Sequence, residues 1–329
     1  MKIFWKLPLL MAVASVLSGF VLAETCSTSS DMDQATRTAL TNTATRYYDM
    51  ASKGDTASLR QNAIPGLASD FSGIEGAVRD NLPNLAGVQG TPRPPFLLKA
   101  EGTGPLERAE FLCGVFGRDG QTANSAVFVI PNLPPATYAV TPLDAPGPKG
   151  AYTVTFVLQQ MGTDWKIGGF YARPSQINGH DWKWFANQAR QYKAKSQTHN
   201  AWFYYEEARD LAVPVPFMST LDTDKLYDEM QSAKPSDLSP PPDLVAGTKT
   251  YKLNGIFPTT VGNDLDLVVK YQSADISNTA QTFQDNLAVM KAVLAKYPEY
   301  RDAFASVVAR AVAPNGQDYG TMMPMKDIK

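Results

Sequence analysis

The chain has 329 residues, with 30 Lys and Arg against 32 Asp and Glu and a formal charge of −2. Its basic residues form no cluster that could neutralise a row of phosphates, which argues against nucleic acid as a partner. Without the N-terminal leader described next, about three hundred residues remain, a comfortable length for two domains.

Residues 1–23 have the pattern of a secretory signal peptide. Lys2 and Lys6 precede an apolar run over 7–22, which ends in the small-residue pattern that signal peptidase accepts. The run is shorter than the roughly twenty residues of a membrane-spanning helix, so we expect cleavage after Ala23, with an uncleaved anchor as the alternative. The sequence predicts a bacterial protein of the periplasm or exterior, without stable membrane insertion once the signal is removed.

Cys26 and Cys113 are the only cysteines. Glu24 and Thr25 stand before Cys26 where a lipoprotein signal requires small residues, which argues against lipidation. In an oxidising compartment an even pair is more often bridged than free, so we expect a Cys26–Cys113 disulfide. The alternative is a buried, inert Cys113 beside a frayed Cys26.

Helical spacing marks the first part of the mature chain. Residues 33–53 carry apolar positions at helical intervals, with Gly54 to end the helix. Asp55 can cap a second, short helix that ends before Pro65-Gly66, and a third follows with one apolar face. That face consists of Ile74, Val78 and Leu82.

The sequence pattern changes from helical to strand-like after the proline-rich stretch 91–95, which acts as a breaker of the helical pattern. The predicted strands are 96–101, 109–117, 125–130, 136–141, 151–160 and 164–172. The last two alternate apolar and polar residues around a turn at 161–163, which indicates an antiparallel hairpin with one buried face. Gly168-Gly169, inside the last strand, would permit a bend.

Three helices followed by a curved antiparallel sheet that ends in Asp164-Trp165-Lys166-Ile167 resemble the nuclear-transport-factor-two-like (cystatin-like) superfamily. The resemblance covers 33–174 and implies a cone-shaped α+β domain over 24–174, its sheet wrapped around an apolar pocket. Members include isomerases, dehydratases and binding modules, so the fold does not select a function. The enzymes usually place an Asp or His deep in the pocket, and the predicted strands contain no His.

The region 175–233 resembles a tetratricopeptide-type helical hairpin. Its pattern runs through the small and aromatic positions Phe185, Gln188, Ala189, Tyr192, Ala201, Tyr205, Ala208 and Pro214. Phe185 and Gln188 replace the usual tryptophan and leucine. Because a free-standing solenoid needs about three repeats, we expect this single unit to pack against a neighbouring domain.

The last third of the chain divides into two segments. Residues 234–247 contain four prolines and are predicted to be a linker. Residues 248–329 predict a small β-β-α-β-β unit, with strands at 251–260, 265–272 and 306–313, a helix at 279–297 and a final extended piece at 319–323.

Two groups of aromatic residues are candidate functional sites. Five lie on elements that would line the interior of a cone and are read either as an apolar pocket or as core: Tyr47, Phe111, Phe128, Phe156 and Trp165. The second group exceeds what one face of a hairpin can bury, so part of it must meet another domain or a partner chain: Trp182, Trp184, Trp202 and Tyr204. The proline-rich stretch 131–150 is either a wall of a binding cleft or only a connection.

No motif predicts a metal site or a bound cofactor. His180 and His199, the only histidines, are expected in exposed loops, with no second histidine at helical spacing and no nucleophile elbow. Acidic clusters, such as Asp264 with Asp266, are expected to be solvated. The sequence favours a non-enzymatic module that binds another envelope or secreted protein, or itself. The alternatives are a small apolar ligand module and a pocket-type isomerase or hydrolase with an Asp or Tyr acid/base.

Overall fold

The computed structural model describes residues 24–115, 120, 122, 124–147 and 150–329. The expected signal peptide at 1–23 therefore lies outside the described residues. Over the described part the chain is mixed α+β, as predicted, with largely antiparallel sheets.

The N-terminal half begins with a strand, continues with helices and ends with a meander. Its elements are β1 Glu24–Ser27, α1 Gln34–Ala51, α2 Thr56–Gln61, α3 Pro65–Ser69, α4 Ser72–Leu85, β2 Thr91–Pro92, β3 Phe96–Ala100, β4 Leu106–Cys113, β5 Ala126–Leu133, β6 Ala136–Gly147, β7 Gly150–Met161 and β8 Asp164–Pro174. Asp33 caps α1 and Asp55 caps α2, each accepting a bond from a backbone N–H of the first turn. The expected break at Pro65 instead starts α3, because proline suits the first position of a helix.

A large sheet has the strand order β1-β3-β6-β7-β8, with β2 pairing beside β3 on β6. The expected proline-rich loop at 131–150 is largely strand, since β6 extends to Gly147; Pro148 lies outside the described residues. Pro142 fits because it falls between the positions that pair with β3 and with β2. On that side its carbonyl accepts a bond from the N–H of Arg93 at 2.8 Å, and its missing N–H interrupts no strand pairing.

The bend predicted at Gly168-Gly169 is confirmed by a register shift in the β7–β8 pairing. Gly169 pairs with Val157, whereas Ile167 pairs with Leu158, so Gly168 is the extra residue of a bulge.

The two faces of the large sheet carry different layers. On β6, Ala139 and Leu143 belong to the core beneath α1, α2 and α4, whereas Tyr138 and Val140 belong to a second core. Because neighbouring side chains of a strand point to opposite faces, these cores lie on opposite sides of the sheet. The second core is closed by a small sheet in which β5 pairs with β4 and with the short strand β9 (Met218–Thr220).

The disulfide between Cys26 and Cys113 is confirmed. It joins the edge strand β1 of the large sheet to β4 of the small sheet. The residues that follow β1 are therefore held close to both sheets.

The C-terminal half contains α5 Trp182–Ala194, α6 Thr198–Ala212, β9 Met218–Thr220, α7 Leu221–Gln231, β10 Leu244–Ala246, β11 Lys249–Tyr251, β12 Leu253–Val261, β13 Asp264–Gln272, α8 Thr279–Lys296, β14 Ser306–Val312 and β15 Asp318–Pro324. The four-stranded sheet β12-β13-β14-β15 has one parallel pair, β13 with β14, and α8 connects these two strands. The predicted strands and helix of this unit agree with the observed bounds to within two residues.

A single hydrophobic core extends from Ile177 to Ile328 and includes α5, α6, α7, α8 and the C-terminal sheet. The expected division into a hairpin at 175–233, a linker at 234–247 and a unit at 248–329 therefore does not correspond to separate cores. The linker is packed: Leu244 is 2% exposed, and Asp237 accepts hydrogen bonds from Tyr297 and His199.

The segment 213–220 leaves α6 and packs on the N-terminal domain. Val215 is fully buried in the second core, and β9 pairs with β5. The hydroxyl of Thr155 on β7 donates to the carbonyl of Pro214 at 3.3 Å. This strap fastens the two halves of the molecule together.

Candidate functional site

The five aromatic residues expected to line one pocket are divided between two cores. Tyr47, Phe156 and Trp165 lie under the helices, and Phe111 and Phe128 lie on the other side of the large sheet. All are fully buried except Trp165, which is 8% exposed. The Tyr47 hydroxyl donates to the Trp165 carbonyl at 2.7 Å, as expected of a packed tyrosine. These residues do not share a cavity, and core packing describes their positions.

The aromatic residues of the hairpin meet the C-terminal unit of the same chain. Tyr204 is 5% exposed and packs beside Phe304, while its hydroxyl donates to the carbonyl of Ala303 at 2.6 Å. Trp182, Trp184 and Trp202 are half-buried against the same core. Of the two expectations, contact with another domain accounts for most of this surface.

A groove lies on the face of the large sheet that carries the second core, and we call it the Arg93 groove. It comprises two cavities of 490 and 460 Å³, and both are lined by Arg93 and Ala212. The first cavity extends along Asp144 and Tyr152 to Trp182. The second runs past prolines to Met218 and to residues 28–30. Each cavity is of the size that ligand sites in proteins have.

Extended, proline-bearing segments build the walls of the Arg93 groove. Pro94 and Pro95 follow the two-residue strand β2, Pro142 lies on β6, and Pro214 belongs to the strap. Their rings fix the backbone and supply apolar surface without an N–H donor. The groove is therefore preformed and mostly apolar at this end.

Charge in the Arg93 groove is neutralised where the two cavities meet. The guanidinium of Arg93 forms an ion pair with the carboxylate of Asp144, and both side chains are partly exposed. The remaining polar groups are mainly small hydroxyls at the end near the disulfide, including Thr28, Ser30 and Thr220. The lining thus combines apolar walls, a neutral ion pair and hydroxyl groups.

Glu207 has a strongly raised pKa. Burial, followed by repulsion from Asp210 and Glu206, raises the pKa of Glu207 to about 8, and Arg173 opposes the shift. Asp210 forms an ion pair with Arg173 of β8. Glu207 projects from α6 and lines neither cavity of the Arg93 groove. It therefore is not the pocket-facing acid that a cone-type enzyme would require.

His199 is not the exposed loop residue that was expected. His199 lies in the first turn of α6 with 12% of its side chain exposed. Its Nδ1 is 3.1 Å from Glu299, and its Nε2 is 2.8 Å from Asp237. Both ring nitrogens of His199 therefore lie within hydrogen-bonding distance of a carboxylate oxygen. Burial opposes ionisation of Asp237, but hydrogen bonds from Tyr297 and His199 hold the pKa of Asp237 below its usual value.

His180 and Asp266 were also expected to be solvated. His180 stacks on Trp184 with 3.9 Å between ring centroids, and Asp266 is 2% exposed and accepts a bond from the Ser306 hydroxyl. The hydrogen-bond partners of Asp266 and His199 lie 38 or more residues away in sequence, so no local pattern could have identified them.

The described part of the chain contains no group of three or more His, Cys, Asp or Glu residues placed to hold a metal ion. Within the same part, the structure has no helix of the length and hydropathy needed to span a membrane.

Sequence reasoning did not identify the Arg93 groove as a whole, although the alternative of a cleft wall at 131–150 covers Pro142, Asp144 and Pro146, which line it. The stretch 91–95 was interpreted only as a breaker, and Ala212 and Pro214 were assigned to the end of a hairpin. The dense prolines of 91–95 were the available signal, but their alignment with Pro142 and Pro214 depends on the tertiary fold.

Comparison of the chain with protein-family models, curated proteins and solved structures finds no match.

Proposed function

We propose that this protein is an exported binding module that holds an extended segment of another envelope or secreted protein in the Arg93 groove. The observation that carries the proposal is that the two cavities are neighbours, since Arg93 and Ala212 line both. A peptide residue advances about 3.3 Å along an extended chain, so a long groove receives several residues in succession.

The lining fits an apolar, uncharged segment better than a charged one. Prolines and Phe96 offer apolar surface, whereas Arg93 is already paired with Asp144. The hydroxyl oxygens of Thr28, Ser30 and Thr220 can accept from main-chain N–H groups of a guest, whereas the hydroxyl hydrogen of Thr28 is already donated to Asp31. Stiff walls reduce the ordering that binding requires, which favours affinity.

Selection of peptides from a displayed random library tests this proposal. Peptides that bind the mature protein should lose at least tenfold in affinity for Ala212→Trp, because the new ring fills the junction of the two cavities. Ala194→Trp is the matched control, since Ala194 is the exposed last residue of α5 and lies outside the groove. Equal affinity for both variants would reject the Arg93 groove as the site.

A small apolar ligand is a second candidate, favoured by the composition of the 460 Å³ cavity. Pro95, Phe96 and Met218 give this end an apolar lining that one small molecule could fill. Native mass spectrometry of protein purified gently from its own host would detect such a ligand as an adduct lost on denaturation. Retention of the adduct by Ala212→Trp would assign the ligand to another site.

We also propose cleavage of a signal peptide after Ala23 and kinship of the N-terminal domain with the nuclear-transport-factor-two-like superfamily. The disulfide fits an oxidising compartment outside the cytoplasm. The order of helices before a bent antiparallel sheet supports the kinship. The paired helices α5 and α6 support the resemblance to a tetratricopeptide-type hairpin.

A further inference from the structure

A second, smaller cavity lies between the helical hairpin and the C-terminal sheet, away from the Arg93 groove. Its volume is 160 Å³, and its walls come from α5, α6, the start of β13 and the turn before β14. Drug-sized ligands occupy roughly 300–1,000 Å³, so this cavity accepts only a small molecule or one terminal group of a larger one.

Aromatic side chains form one side of the cavity. Trp184, Phe185 and Tyr204 line it, with ring centroids 5.0 Å apart for Trp184 and Phe185 and 5.2 Å apart for Phe185 and Tyr204. His180 stacks on Trp184 with planes inclined by only 7°. The Tyr204 hydroxyl already donates to a backbone carbonyl, so the ring itself is the part of Tyr204 left for a guest.

A tight turn fixes the position of His180. The N–H of Ile177 donates to the carbonyl of His180 and the reverse bond also forms, both at 3.0 Å. Asn178 and Gly179 have φ values of 51° and 76°, as a two-residue Asn-Gly turn requires. Directly after the turn, Asp181 caps α5 by accepting from the N–H groups of Lys183 and Trp184. The aromatic wall is therefore preorganised by its own backbone.

One acidic residue is among those that line the cavity. Asp264, the first residue of β13, lines the cavity and is exposed to solvent. No Lys or Arg is among the lining residues, so no side chain of permanent positive charge competes for the site. Aromatic faces and a carboxylate together attract cations, and tryptophan has the strongest ring quadrupole.

We propose that this cavity binds a small organic cation, a quaternary or methylated ammonium group. Such a group is apolar enough to contact Phe185 and Leu265, and its charge is stabilised by Trp184, Tyr204 and Asp264. A site of this volume otherwise holds about five waters, which a compact alkylammonium group displaces without needing directed hydrogen bonds.

Calorimetric titration of the mature protein with choline tests the proposal against a neutral molecule of the same shape, 3,3-dimethylbutan-1-ol. Choline should bind saturably, with at least tenfold higher affinity than the neutral alcohol. Equal affinity for the two would show that shape and apolar contact alone determine binding, and the absence of saturable choline binding would also overturn the proposal.

Two variants locate the site. Asp264→Asn keeps the size of an exposed side chain and should weaken choline binding at least fivefold; Asp243→Asn, at an exposed carboxylate outside the cavity, should leave it unchanged. Trp184→Leu should weaken choline binding more than Asp264→Asn does, and thermal unfolding of this variant is recorded to confirm that it is folded. Unchanged binding by Asp264→Asn would overturn the assignment. Co-sedimentation with pure phosphatidylcholine vesicles then distinguishes a lipid headgroup from a free ammonium compound.

Discussion

Removal of the disulfide should destabilise the whole protein, because the bond closes a long loop. Cys26 and Cys113 are separated by 87 residues. In the chain-entropy model, opening a loop of this length costs about 4.6 kcal/mol of stability at 25 °C. Domains are typically stable by only about 5–15 kcal/mol, so this is a large fraction. The double variant Cys26→Ala with Cys113→Ala is suitable because Cys113 is fully buried and alanine adds no unpaired hydroxyl there.

Urea unfolding followed by circular dichroism measures the effect, with Ser27→Ala on the same strand as the control. We expect a loss of about 3–5 kcal/mol for the double alanine variant and less than about 0.5 kcal/mol for Ser27→Ala. Wild-type protein unfolded in the presence of a reductant should match the double variant. A loss below about 1 kcal/mol would refute the reasoning, because the loop would then not be free in the unfolded chain.

Three further changes test individual contacts. Gly147→Ala should lower the free energy of unfolding by about 1–3 kcal/mol, because a Cβ there would lie 2.5 Å from the carbonyl oxygen of Asn84. Its control is Gly66→Ala, where no atom lies within 4 Å of the added carbon, and this change should be neutral or slightly stabilising in thermal unfolding. Tyr47→Phe leaves the Trp165 carbonyl without its 2.7 Å partner and should lower the free energy of unfolding, measured with urea, by about 1–2 kcal/mol. Tyr227→Phe, at a side chain that is 45% exposed, should leave it almost unchanged. The pKa of Glu207 is raised from 4.5 to about 8 in the folded state, so the folded protein holds this proton more tightly and stability falls as pH rises between these values. Glu207→Gln should remove this loss, so the stability of the variant relative to the wild type should rise by about 1–3 kcal/mol from pH 5 to pH 8. A variant whose stability depends on pH as the wild type's does would contradict the assignment.

Helices and strands could be predicted from sequence where the apolar residues recur at one regular spacing along the element. The alternation of β7 and β8, the bulge at Gly168 and the apolar face of α8 were all available from sequence, because each depends on neighbours within a few residues. The disulfide was also predictable, since only two cysteines exist.

Features that depend on distant contacts were not predictable. The five aromatic residues do not line one pocket, because Phe111 and Phe128 lie on a small sheet whose third strand, β9, comes from the strap after α6. Nothing near Met218 indicates that it pairs with Phe128, 90 residues earlier. From sequence alone Pro142 is assigned to a loop. It can occupy strand β6 only because it falls between the residues of β6 that pair with β2 and those that pair with β3. The groove could not be derived because the lining of its 460 Å³ cavity alone comes from five separate parts of the chain.

Site-specific photo-crosslinking in the native host tests the binding proposal most directly. A photoreactive phenylalanine placed at Pro94 or Met218 lies in the Arg93 groove, whereas one at Asp80, exposed on α4, lies on the opposite side of the large sheet. We expect both groove positions to form an adduct with the same short segment of one exported protein, and Asp80 to form none. Adducts that are equally abundant at Asp80, or none at either groove position, would contradict the proposal.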